Sequence, residues 1–93
     1  MHKPFYMLLR NVLKLARAYG AFTAGQAAYV LEIPLQKAVE TLECMVSNGL
    51  LSAVDIAGVR FYYRDPVEAA EAILGSVDLS ALPYEERAKL SRL

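Results

Sequence analysis

Basic side chains recur along one face of the first predicted helix, and their chemistry is that of phosphate contact. Residues 1–20 carry four cations and no acid, so this stretch has a charge of +4. At about 100° per residue, the four fall within one narrow arc opposite an apolar stripe. The arc holds Lys3, Arg10, Lys14 and Arg17. An ordinary solvated helix face has the same pattern, so both interpretations stand.

A second set of basic and aromatic side chains alternates along a predicted strand. The segment from Val59 to Arg64 is rich in residues that favour strands. Alternation places residues 59, 61 and 63 on one face and residues 60, 62 and 64 on the other. We expect the first set to face the core and Arg60, Tyr62 and Arg64 to face solvent. Such a face can contact a phosphate backbone; the alternative is an amphipathic hairpin whose arginines lay their stems along the surface.

No residues suggest catalysis. The sequence contains no recognisable pair of nucleophile and base, no glycine-rich phosphate loop and no pair of buried carboxylates, so we predict no catalytic residue and no enzyme. His2 is the single histidine and Cys44 the single cysteine. This excludes a disulfide framework within the chain and a Cys-rich zinc site. We expect neither a metal nor another cofactor.

Composition indicates one domain with some apolar surface to spare. The chain has 93 residues, of which 56% are hydrophobic. This excess favours an interface, such as a homodimer, although an alanine-rich helical protein gives the same count. No apolar run approaches the ~18 residues of a membrane span. The first ten residues do not resemble a signal peptide, so we expect a cytoplasmic protein that does not contact a membrane.

Capping and turn residues divide the chain into elements. Thr23 and Gln26 form a capping box before the second helix, and Gly20 and Gly49 end the first and third helices. The helices are predicted from Pro4 to Gly20 and over residues 24–31, 34–48 and 66–74, with a last helix starting at Pro83. Strands are predicted over residues 50–55 and 59–64, joined by a turn at Ile56-Ala57-Gly58.

The third helix has a predicted buried arc and a polar outward arc. The buried arc consists of Leu35, Ala38, Val39, Leu42, Met45 and Val46. The outward arc consists of Gln36, Glu40, Glu43 and Ser47, flanked by Lys37 and Cys44.

This order of elements resembles the winged-helix family. The resemblance covers roughly residues 5–64 and is carried by FTAGQAAYVLEIPLQKAVETLECMVSNGLL and GVRFYYR. It implies an α+β, mostly α fold: a three-helix bundle with a two-stranded wing, followed by one or two C-terminal helices. The corresponding division is a winged-helix domain at residues 1–75 and a C-terminal segment at residues 76–93.

The resemblance also implies a function. It suggests a small DNA-binding protein, such as a transcriptional regulator, that binds duplex DNA through the third helix and the wing. The implied DNA-binding residues are Gln36, Lys37, Glu40, Arg60, Tyr62 and Arg64, with phosphate contacts from Arg10, Lys14 and Arg17. The same fold also serves as a protein-interaction module. The alternative is an adaptor subunit of a nucleic-acid-processing assembly that binds a protein partner through residues 76–93.

Overall fold

Four helices and three strands make up the chain between residues 5 and 76. We analysed a computed structural model, which describes residues 5–76 together with Glu85, Ala88, Lys89 and Arg92. The elements are α1 (Phe5–Tyr19), β1 (Ala21–Phe22), α2 (Ala24–Leu31), α3 (Leu35–Ser47), β2 (Ser52–Ile56), β3 (Val59–Tyr63) and α4 (Pro66–Ser76). The predicted α+β, mostly helical class is confirmed, and the layout is compatible with a winged helix.

The three strands form one antiparallel sheet in the order β1-β3-β2. β2 and β3 form a hairpin, with Ser52 opposite Tyr63 and Ile56 opposite Val59. Its two-residue turn consists of Ala57 and Gly58, whose φ angles are 52° and 79°. Positive φ at both central residues is what a type I′ hairpin turn requires. β3 is therefore the central strand, and elements pack on both of its faces.

Two hydrophobic clusters lie on opposite faces of β3. The larger joins α1, α2 and α3 to the sheet, and its fully buried members include Val12, Phe22 and Leu42. The smaller lies under α4, where Ile73 belongs to the same buried cluster as Ala21 and Ile56 from the strands. The sheet thus holds the three-helix bundle on one side and α4 on the other.

α2 and α4 both begin with a side-chain cap. The Thr23 hydroxyl accepts from the backbone N–H of Gln26, whose side chain accepts from the N–H of Thr23. Asp65 caps α4 by accepting from the N–H groups of Val67 and Glu68, at 2.9 and 3.1 Å. These caps satisfy backbone donors that have no partner within the helix.

The predicted orientation of β3 is wrong at Tyr62 and Val59, whereas Arg64 is exposed as predicted. Tyr62, assigned to the outside, is only 2% exposed, whereas Val59, assigned to the core, is 43% exposed. Phe61 and Tyr63 are partly buried against the smaller cluster. Because helices cover both faces of β3, alternation alone does not distinguish an inner face from an outer one.

Part of the predicted buried arc of α3 is also wrong. Leu35 is 58% exposed and Val39 is exposed as well, whereas Thr41, which we did not assign to the core, is buried. The Thr41 hydroxyl donates to the carbonyl of Lys37 at 2.8 Å, so its polar group is satisfied inside the core.

Several element bounds differ from the sequence prediction. β1 was not predicted, β2 begins at Ser52 rather than at residue 50, and Ile56 is the last residue of β2 rather than part of the turn. The fourth helix was predicted to end at residue 74, whereas α4 continues through Gly75 to Ser76. The predicted loop at residues 76–82 lies outside the described residues except for Ser76, and so does most of the predicted last helix. In the described part of the chain, no helix is long and apolar enough to cross a bilayer.

Candidate nucleic-acid interface

The basic residues of α1 lie together with Arg64 along one groove, which we call the α1 groove. It has a volume of about 440 Å³. Its lining consists of Tyr6, Leu9, Arg10, Leu13, Lys14, Arg17 and Arg64. Apart from Lys3, which lies outside the described residues, every basic residue predicted for the first helix takes part.

Helical spacing and strand pairing together bring these cations to one place. Arg10, Lys14 and Arg17 follow one another at intervals of four and three residues, so they share one face of α1. α1 leads through Gly20 directly into β1, and Ala21 pairs with Tyr63 of β3. This pairing positions Arg64, the next residue after β3, beside α1.

The α1 groove is electropositive over most of its length. Within the described part of the chain, none of its four cations forms an ion pair or a hydrogen bond. Carboxylates occur at one end, where Arg17 and Arg64 also line a second concave surface with Asp65 and Glu68. The Asp65 carboxylate is engaged in capping α4. The groove therefore presents positive charge that can contact an anionic ligand.

A second cluster, which we call the wing clamp, joins β3 to α3 and consists of Glu43, Asp55, Arg60 and Tyr62. Arg60 donates from Nε and Nη2 to the two carboxylate oxygens of Glu43, at 2.9 and 3.1 Å. Its Nη1 lies 3.2 Å from Oδ2 of Asp55. The Tyr62 hydroxyl donates to Oε2 of Glu43, and the Arg60 guanidinium lies 5.7 Å from the centre of the Tyr62 ring. Arg60 and Tyr62 thus fix the β2–β3 hairpin, which corresponds to the predicted wing, against α3.

The wing clamp shifts the ionisation of its members in ways that favour the ion pair. Hydrogen bonds from Arg60 and then from Tyr62 lower the pKa of Glu43 below its ordinary value of 4.5. The hydrogen bond to Glu43 raises the pKa of Arg60. Burial, followed by the hydrogen bond to Glu43, raises the pKa of Tyr62 to about 12. At neutral pH Glu43 is therefore a carboxylate, Arg60 a guanidinium and Tyr62 a neutral phenol.

The outward face of α3 presents the remaining predicted DNA-binding residues. Gln36, Lys37 and Glu40 are exposed. The Gln36 amide donates to the Glu40 carboxylate at 3.3 Å. Pro34 precedes α3 and provides no side-chain cap. The backbone N–H groups of the first turn therefore have no side-chain acceptor from the capping residue. Such a helix N-terminus attracts anions.

The structure therefore separates the predicted site residues into three groups. Arg10, Lys14, Arg17 and Arg64 meet in the α1 groove. Arg60 and Tyr62 belong to the wing clamp, and Gln36, Lys37 and Glu40 lie on the exposed face of α3.

Sequence reasoning missed the apolar part of the groove and the partners within the clamp. Tyr6 and Leu13 each precede an arginine by four residues, a helical spacing that could have revealed the mixed stripe with Arg10 and Arg17. The position of Arg64 beside α1 depends on β1, a two-residue strand with no pattern of its own.

Comparison with protein-family models, curated proteins and solved structures found no match for this chain. Among the described residues, no group of three or more potential metal ligands comes together. The function is therefore inferred from the residues and their geometry.

Proposed function

We propose that this chain is a small winged-helix DNA-binding protein that acts as a transcriptional regulator. The observation that carries the proposal is the α1 groove, in which Arg64 at the end of the wing joins three cations of α1. Unpaired cations from two elements far apart in sequence provide the phosphate contacts that dominate affinity for DNA.

The exposed face of α3 supplies a second part of the proposed interface. The side-chain amide of Gln36 can form hydrogen bonds with both N6 and N7 of adenine. Lys37 lies beside the uncapped N-terminus of α3, where a phosphate is favoured. The negative charge of Glu43 is compensated by Arg60, so it repels phosphate less than an isolated glutamate would. Of the two outward glutamates of α3, Glu43 is paired with Arg60, whereas Glu40 forms no ion pair with a described cation.

The salt dependence of binding to duplex DNA tests the proposal. We expect the logarithm of the binding constant to fall with the logarithm of salt concentration with a slope of about −4, for four phosphate contacts. Fluorescence anisotropy with a labelled duplex of mixed sequence provides the measurement. Absence of binding at low salt would refute the proposal.

Single charge removals locate the contacts. Arg64→Gln is expected to reduce the magnitude of the salt slope by about 0.9, the contribution of one phosphate contact. Arg92→Gln, an exposed change of equal charge outside the groove, serves as the control and leaves the slope unchanged. Equal effects of the two variants would show that overall charge, rather than the groove, determines binding.

Sequence preference is tested at Gln36. Gln36→Ala is expected to change the ranking of duplexes in a selection from random sequences while leaving the salt slope unchanged, because base contacts specify and phosphate contacts position. An unchanged ranking would exclude this residue from base recognition.

The alternative, a protein adaptor, is favoured by apolar side chains left exposed on α2 and at the end of α1. Tyr29 is 85% exposed, and Tyr19 and Val30 lie beside it along one shallow surface. A homodimer would cover the same side chains.

Sedimentation analysis of the wild type and of Tyr29→Asp distinguishes a dimer formed through this face from a monomer. Co-purification of a stoichiometric partner that is lost on deletion of residues 76–93 would favour the adaptor.

A further inference from the structure

We propose that the α1 groove binds a single strand of nucleic acid, with Tyr6 stacking on an unpaired base and the cations contacting the neighbouring phosphates. This inference rests on the proposed DNA binding and names the form of nucleic acid that the groove takes. It concerns Tyr6 and the two leucines of the groove, which a duplex backbone would not contact.

The groove combines an exposed aromatic ring with an apolar floor. Tyr6 is 68% exposed. Within the described residues, the Tyr6 ring forms no contact with another aromatic ring or with a cation, and its hydroxyl forms no hydrogen bond. Leu9 and Leu13 line the groove and are partly buried against the larger cluster, so they form its apolar floor. The cations therefore border an apolar surface.

These features suit a single strand better than a duplex. In a duplex the bases are stacked inside and present only their edges in the grooves, so the backbone offers no apolar face to Tyr6 or to the leucines. The bases of a single strand are free to stack on aromatic rings while its phosphates follow a basic groove. Tyr6 beside Arg10 provides this combination.

The length of the groove fits a short stretch of one strand. Arg10 and Arg17 are seven residues apart, which corresponds to about 10 Å along the helix axis. At about 3.4 Å per nucleotide, the rise of a stacked strand in a duplex, this distance spans at most about three nucleotides, and an extended single strand places fewer there. The groove therefore matches an overhang, a frayed end or a short unpaired region next to a duplex.

Binding of matched probes to Tyr6 variants tests the inference. The probes are an oligothymidylate of about 12 nucleotides, a blunt duplex of mixed sequence, and the same duplex with a short thymidylate overhang. We expect Tyr6→Ala to weaken binding of the oligothymidylate and the overhang probe about tenfold. Binding of the blunt duplex should change less than about twofold, because its bases do not reach Tyr6.

Two variants control for the chemistry and the position of the ring. Tyr6→Phe keeps the stacking surface and should bind all three probes as the wild type does. Val67→Ala removes an exposed apolar side chain of α4 outside the groove and should have no effect. Because Tyr6 and Val67 are both exposed, circular dichroism should show that every variant remains folded.

The possible results separate this inference from the proposed function. If Tyr6→Ala affects single-stranded and blunt probes equally, or affects neither, the single-strand inference is refuted while duplex binding stands. If the wild type binds no probe at low salt, the proposed function fails as well. Displacement of the oligothymidylate by a polyglutamate peptide of equal charge, with equal potency, would show that the groove recognises anions without recognising bases.

Discussion

At the scale of single residues, Glu43 is the member of the wing clamp whose removal has the clearest consequence. It accepts from Arg60 and Tyr62, which lie 17 and 19 positions further along the chain. We expect Glu43→Gln to lower the free energy of unfolding at pH 7 by about 1 kcal/mol, a modest value because Glu43 and Arg60 are partly exposed to solvent. Urea unfolding followed by circular dichroism measures the change.

The same substitution should alter how stability depends on pH. The pKa of Glu43 is lowered in the folded protein from its ordinary value of 4.5. The clamp therefore contributes fully above pH 4.5, and its contribution is lost as pH falls through the folded-state pKa. The difference between wild type and Glu43→Gln should shrink in that range. Glu40→Gln, on the same face of α3 but without a wing contact, should leave the wild-type pH dependence in place; a similar loss in this variant would contradict the assignment.

The orientation of β3 shows which residue-level features the sequence does not determine. Alternation placed Tyr62 with the two arginines on the face assigned to solvent, and Phe61 on the face assigned to the core. Tyr62 is nevertheless buried, because its ring packs near Phe22, with ring centres 6.1 Å apart, and its hydroxyl reaches Glu43 on α3. Both partners are distant in sequence, and α4 covers the opposite face of the strand. A local sequence pattern shows neither the distant partners of Tyr62 nor the position of α4 over the other face of β3.

At the scale of elements, Gly20 controls how α1, β1 and α4 meet. Its φ is +75°, and a Cβ at this position would lie 2.9 Å from the carbonyl oxygen of Glu68 and 3.3 Å from Cβ of Ala72. We expect Gly20→Ala to lower the free energy of unfolding by about 1–2 kcal/mol for the left-handed backbone. Overpacking against the backbone of α4 should cost about 1–3 kcal/mol more.

Gly58→Ala separates the two contributions to that loss. Gly58 has a φ of +79°, but a Cβ added there would have no neighbouring atom within 4 Å, since the residue occupies the open hairpin turn. This variant should therefore show the backbone cost alone. Parallel urea unfolding of the two variants measures the difference, and equal losses would show that α4 moves away from Gly20 without cost.

Elements encoded by neighbouring residues were predictable, whereas those created by distant pairing were not. The capping box at Thr23 and Gln26 and the bounds of α2 follow from interactions within four residues, and they were predicted correctly. β1 is two residues long and exists because it pairs with β3. The same pairing places Arg64 beside α1, so the basic arc of α1 was visible in the sequence but the groove was not.

At the scale of the whole molecule, a net charge of zero conceals an uneven distribution. The four cations of the α1 groove are unpaired within the described residues, so they repel one another and contribute nothing to folding through ion pairs. A cluster of like charges that weakens the fold is more readily explained by a ligand than by stability. Removal of a groove cation should therefore affect folding and binding in opposite directions.

Lys14→Gln provides this test, because Lys14 lies four residues from Arg10 and three from Arg17 on one helix face. Each like-charge pair at these spacings destabilises a helix by about 0.2–0.5 kcal/mol, so the variant should raise the free energy of unfolding by about 0.5 kcal/mol. Binding to duplex DNA should weaken, with the magnitude of the salt slope reduced by about 0.9. Lys37→Gln, which removes a cation three residues before Glu40, should not stabilise the fold and serves as the control. A Lys14→Gln variant that loses both stability and binding would indicate that Lys14 has a structural role, whereas opposite signs would identify the α1 groove as a binding surface for an anionic ligand.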